Sequence, residues 1–225
     1  MSARQLSFDL PTRTALGRAD FFVSPANAEA VALIEGWHGW PSRKLVVAGP
    51  AGAGKTHLAH VWAGLAGARI VAAGTLAQAD IAALAAGPVA VEDAHALAGD
   101  RAAEEALFHL HNLVLAEGHA LLMTAREAPA LWGLTLPDLA SRMAGTLMTR
   151  LGPPDDALLA AVLSKLFADR QLSPSPDTVP YLARRIERSF AAAHAAVAAL
   201  DARALDERRA ITRALAAEVL DNGAR

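Results

Sequence analysis

Residues 49–56 read GPAGAGKT, a complete match to G-x-x-x-x-G-K-[ST]. The pattern constrains the fold because it works only between a strand and a helix. Gly49, Gly52 and Gly54 let the backbone turn tightly and bring its N–H groups onto an anion, with Pro50, Ala51 and Ala53 filling the loop. A helix opening near Lys55 adds its positive N-terminal end. Lys55 can reach β- and γ-phosphates, the Thr56 hydroxyl can hold Mg²⁺, and His57 comes next in the first turn. The flanks fit this setting. Lys44–Ala48 (KLVVA) reads as a short buried strand and His57–Ala66 (HLAHVWAGLA) as a helix. A chance glycine turn needs neither Lys nor Thr, so ADP or ATP with Mg²⁺ is the expected ligand.

Around this loop the chain alternates. Short apolar runs at Lys44–Ala48, Arg69–Ala73, Pro88–Glu92, Ala120–Thr124 and Thr146–Leu151 are separated by segments that can carry helices, most clearly His57–Ala66 and Arg101–Glu117. Such alternation predicts an α/β fold: a five-stranded parallel sheet with helices on both faces. Gly152-Pro153-Pro154 breaks the pattern, and the remaining chain reads as helix only: Asp155–Arg170, Asp177–Glu187, Phe190–Leu205 and Ile211–Leu220. The expected organisation is a tail (1–19), an α/β nucleotide-binding domain (20–152) and a small all-helical lid domain (153–225).

Composition narrows the function classes. The net charge is −2 and the pI about 6.4, so no general basic field draws the chain to nucleic acid. No dedicated DNA-binding domain is expected. There is no Cys, hence no disulfide framework or thiolate metal site. No apolar run approaches the ~18 residues of a membrane span, and MSARQLSFDL has no secretory h-region. A cytoplasmic protein is expected.

A nucleotide site needs an acid at a neighbouring strand end. Val89-Ala90-Val91-Glu92-Asp93 ends in two: Glu92 on the metal (Mg²⁺) side, Asp93 able to orient an attacking water. The plainer reading is two surface acids, Asp93 capping a turn. Thr124 closes the next apolar run and can sense a γ-phosphate or simply end a strand. Arg142, in Asp138-Leu139-Ala140-Ser141-Arg142, reads from spacing alone as a surface arginine paired with Asp138. His57, His60, His109 and His111 form no ligand set and read as ordinary helix residues.

The segments GPAGAGKTH, VAVEDAHAL, LLMTA and LPDLASRM, in that order, resemble the AAA+ module of the replication initiator DnaA over residues 18–220. Asp20–Asn27 looks like the family's lead-in near adenine, making Phe22 and Asn27 cofactor-binding candidates. The chain is short of the initiator's helix-turn-helix and helicase-contact domains, so it is most similar to the Hda family of DnaA-related regulators. Gln5, Leu6, Ser7, Phe8, Asp9 and Leu10 resemble that family's hexapeptide for docking on the DNA polymerase sliding clamp, with Phe8 where Leu is usual. As a tail, Gln5 can hydrogen-bond at a pocket rim while Leu6, Phe8 and Leu10 anchor. Taken alone, the same alternation reads as an edge strand.

By position, the resemblance implies Lys55 and Thr56 on phosphate and Mg²⁺, Glu92 and Asp93 as the acidic pair, Thr124 as first sensor, and Arg142 as an arginine finger. Two departures stand out. Glu92 replaces the usual Asp, and Ala191 aligns with the second-sensor Arg, leaving Arg188 as its substitute. The implied function is regulation of replication initiation: weak ATPase of its own, clamp docking, and stimulated hydrolysis of DnaA-bound ATP. A homodimer is compatible with a finger acting in trans. The competing readings are a nucleotide-stabilised adaptor and a helicase-loader or transposition-helper ATPase, which gives the hexapeptide no role.

Overall fold

The computed structural model describes residues 22–223. A parallel sheet of β1 (Lys44–Ala48), β2 (Arg69–Ala72), β3 (Val89–Glu92), β4 (Leu121–Ala125) and β5 (Leu147–Arg150) runs in the order β2-β3-β4-β1-β5. Strands buried on both faces read as continuous apolar runs rather than alternating ones. β1 sits between β4 and β5, and all five of its residues are buried.

The two faces of β1 separate two cores. Val46 and Ala48 pack with Val91, Met123, Leu107 and Leu110 beneath α3 (Ile81–Ala85), α4 (Arg101–Ala116) and α5 (Pro137–Ala144). Leu45 and Val47 pack with Ile34, Leu58 and Trp62 beneath α1 (Ala28–Glu35) and α2 (Lys55–Ala66). Trp62, fully buried, stacks on Trp40 at 5.3 Å and meets the edge of Trp37 at 6.2 Å.

Four helices come after the sheet: α6 (Asp156–Asp169), α7 (Thr178–Arg185), α8 (Phe190–Glu207) and α9 (Arg213–Gly223). They close on a core of their own, with Leu159, Leu163, Phe167, Leu182, Val197, Leu200 and Leu215. The capping Asp155 accepts from the Leu158 N–H at 2.8 Å. Ser189 caps α8 by accepting from the Ala192 N–H at 3.1 Å. Among the described residues, no helix is long and apolar enough to cross a membrane.

The expected strands hold to within a residue or two at each end. β2 stops at Ala72 because Ala73 opens a tight helical turn, and β4 runs on to Ala125 beside Ala48.

Candidate functional site

The glycine loop joins β1 to α2. Gly54 immediately precedes the helix at φ 93°, and Gly52 has φ 72°, backbone that L side chains rarely adopt. Crowding reinforces the choice. A Cβ on Gly52 would lie 2.6 Å from Ser189 Cβ, and one on Gly54 would lie 2.5 Å from the Phe190 ring. The Phe190 N–H donates to the Gly52 carbonyl at 2.9 Å. The loop is therefore seated directly against the first turn of α8.

A cavity of about 420 Å³ opens between this loop and the helical lid. Ala51, Gly52, Gly54, Lys55, Thr56 and His57 form one wall. Phe22 and Asn27 line it too, and Asn27 fixes that segment: its Oδ1 accepts from Ser24 N–H at 2.8 Å and its Nδ2 donates to Phe22 O at 2.9 Å. The lid contributes Leu158, Val162, Leu166 and Phe190, an apolar wall suited to a flat ring.

Lys55 is buried, and its ammonium donates to Gly49 O at 2.7 Å and Pro50 O at 2.8 Å. Burial pushes its pKa down, Asp93 pulls it up, and Arg126 lowers it again. Asp93 lines the cavity from a left-handed backbone at φ 54°, steadied by its N–H donating to Thr124 Oγ1 at 3.0 Å.

The structure thus brings Phe22, Asn27, Ala51, Gly52, Gly54, Lys55, Thr56, His57 and Asp93 to one cavity. Gly49 and Pro50 serve it through their carbonyls, and Ala53 packs inward. Thr124 is buried behind Asp93 rather than on the wall. Glu92 is off the wall too; its Oε1 is buried with no hydrogen-bond partner among the described residues, an open acceptor fit for a cation.

Arg188 departs from its expected position. It does not line the cavity; two residues before α8, its Nη2 pairs at 2.8 Å with Oδ1 of Asp156, the first residue of α6. The Asp138–Arg142 pair suggested by spacing is also absent among the described residues: Arg142 is exposed on α5 with its guanidinium 5.1 Å from the Phe108 ring centroid. His111, a helix residue as expected, is buried in α4 with Nε2 3.3 Å from Lys44 Nζ. Gln5, Leu6, Ser7, Phe8 and Leu10 lie outside the described residues.

Sequence reasoning missed Arg126, which lines the cavity just beyond β4. Its signal was its place two residues after Thr124 at the same strand end. It also missed the lid wall, though Leu158, Val162 and Leu166 recur at four-residue helical spacing.

No protein-family model matches the chain. It is 30% identical over 137 residues to the chromosomal replication initiator protein DnaA of Thermomicrobium roseum, covering 59% of this chain and 29% of that protein. The chain thus spans under a third of the length of the curated DnaA relatives compared. Among solved structures it resembles domain III of the Thermotoga maritima replication initiation protein DnaA, with a TM-score of 0.79 at 17% identity over 95% of this chain and 98% of that one. AMPPCP-bound DnaA from Aquifex aeolicus is also similar, with a TM-score of 0.69 at 16% identity over 89% of this chain and 68% of that one. The chain has the AAA+ P-loop fold, in the form seen in DnaA domain III.

Proposed function

We propose that this chain holds a nucleotide between its glycine loop and its lid, and in that state regulates replication initiation by acting on ATP bound to a DnaA partner. The carrying observation is the cavity itself, where Lys55, Thr56 and Asp93 meet an apolar lid wall. Residues 20–152 would hold ADP or ATP, 153–225 would close over it, and 1–19 would be the docking tail. Thr56 and Glu92 would hold Mg²⁺, which neutralises phosphate charge when bound. Asp93 is poised to orient a water, and Thr124 fixes Asp93's backbone.

Arg142 supports action in trans. It is exposed on α5 and absent from the chain's own cavity, so its charge is available to a neighbour's triphosphate, in DnaA or in a homodimer. An arginine so supplied can accelerate hydrolysis by ~10³–10⁵-fold. Gln5–Leu10 would dock on the sliding clamp, and the setting is the cytoplasm. The test is hydrolysis of DnaA-bound ATP with DNA-loaded clamp. Arg142→Ala should abolish stimulation, and undiminished stimulation would sink the assignment. Gln5→Ala with Leu6→Ala should lose clamp pull-down; retention removes the docking claim.

One observation favours a second reading, a nucleotide-stabilised adaptor: Arg188 is tied to Asp156 outside the cavity, leaving the lid without that arginine. Stoichiometric ADP with no effect on a partner's ATPase would select it.

A further inference from the structure

Lys44 is out of keeping with the rest of β1. The four residues after it are apolar and fully buried, and Lys44 itself is only 7% exposed. A buried ammonium is ordinarily paired with a carboxylate. Among the described residues Lys44 has none, and the nearest charge it feels is a second cation, Arg142. Burial and then that repulsion hold its pKa below the ordinary lysine range.

What Lys44 does have is the main-chain carbonyl of Arg142, which accepts from Nζ at 2.8 Å. The end of α5 exposes this acceptor. In a continuing helix the Thr146 N–H would donate to it, but here that N–H turns to Met143 O at 3.0 Å. Side chains take over: Lys44 supplies one donor, and Thr146 Oγ1 supplies another at 3.0 Å. A cation at a helix C-terminus is also favoured by the helix dipole.

Lys44 is in turn set by α4. His111 Nε2 lies 3.3 Å from Lys44 Nζ, and Nδ1 lies 3.1 Å from Asn112 Oδ1. An ammonium only donates, so Nε2 accepts and the ring proton sits on Nδ1, facing Asn112. Three residues before His111 on the same helix, Phe108 takes the Arg142 guanidinium, with Cζ 5.1 Å from the ring centroid. The arginine is therefore held twice from α4, at its side chain by Phe108 and at its backbone through Lys44.

We propose that Lys44, oriented by His111, is a positioning residue for Arg142: it fixes the main-chain carbonyl and so sets the direction in which the guanidinium leaves α5. This rests on the reading of Arg142 as acting on a neighbour's triphosphate, and adds the part of the chain that aims it.

Lys44→Met keeps the length of the stem and removes the donor. The first readout is nuclear magnetic resonance of the labelled full chain. In wild type the Phe108 ring should displace the Arg142 side-chain resonances, and in Lys44→Met they should relax towards those of a free arginine. The second is hydrolysis of DnaA-bound ATP with DNA-loaded clamp. The stimulated rate at saturation should fall about 10- to 100-fold, the effect of misplacing a reacting group by about 1 Å. The concentration giving half-maximal stimulation should not change, because the docking residues are untouched. Melting temperature should hold, since a buried charge without a carboxylate has been removed. Thr146→Val should give the same pattern more weakly, and decides the matter if Lys44→Met does not fold. Unmoved Arg142 resonances, undiminished stimulation, or a rate lost only along with melting temperature overturns the proposal. Wild-type protein without stimulation defeats the reading of Arg142 instead, and the resonances then decide the positioning role alone.

Discussion

Glu104 has no solvent exposure, yet four donors converge on its carboxylate: the N–H groups of Gly99, Thr135 and Leu136, and the Thr135 hydroxyl. Desolvation pushes its pKa up, but these bonds outweigh it and leave the group below its ordinary value. The carboxylate pins the connection leading into α5, the helix that carries Arg142. Glu104→Ala should cost about 1–3 kcal/mol in urea unfolding, since it removes the shared acceptor of four part-buried hydrogen bonds. Glu104→Gln should cost less, because an acceptor remains. Nothing in the sequence reveals this. Glu104 reads as an ordinary acid in the first turn of α4, and two of its partners are some thirty residues away. Lys55 and Thr56 were legible because their chemistry is local to one loop. Arg126 and Glu104 were not, since each acquires meaning only from strands and loops brought beside it.

At the level of elements, β1 was legible to the residue because a strand buried on both faces must be apolar throughout. The stretch between β2 and β3 was less so: a tight helical turn (Ala73–Gln78) and the short α3 share an alanine-rich sequence with no strong period. The start of α8 is where loop and lid meet. Ser189→Ala removes its cap and should cost about 1 kcal/mol, checked by denaturant unfolding. Gly54→Ala strains a backbone at φ 93° and drives a Cβ into Phe190. It should abolish detectable nucleotide binding, together with a stability loss of roughly 1–2 kcal/mol. Calorimetry on the refolded variant, with circular dichroism to confirm the fold, checks both parts.

On the scale of the whole molecule, three histidines among the described residues are held below their usual pKa. Burial is the largest cause at His95, His111 and His194, with Arg126, Lys44 and Arg170 respectively adding repulsion. Below their unfolded pKa of about 6.5 the unfolded chain binds more protons than the folded one. Stability is therefore full above that value and falls as pH drops from it towards the folded pKa values. Melting temperature should decline between about pH 7 and 5.5, and His111→Asn should flatten the decline. A profile level across that window would contradict the assignment.

The seating of Gly52 and Gly54 under Ser189 and Phe190 has a consequence for how such a chain can change over generations. Neither side of that contact can drift alone: a larger residue in the loop needs a smaller one on α8, and the loop's φ values forbid most larger residues. Two segments far apart in the sequence thus form a single block of intolerance. A saturation mutagenesis scan scored on folded protein should find residues 52, 54, 189 and 190 depleted together, with compensation confined to pairs that cross the contact.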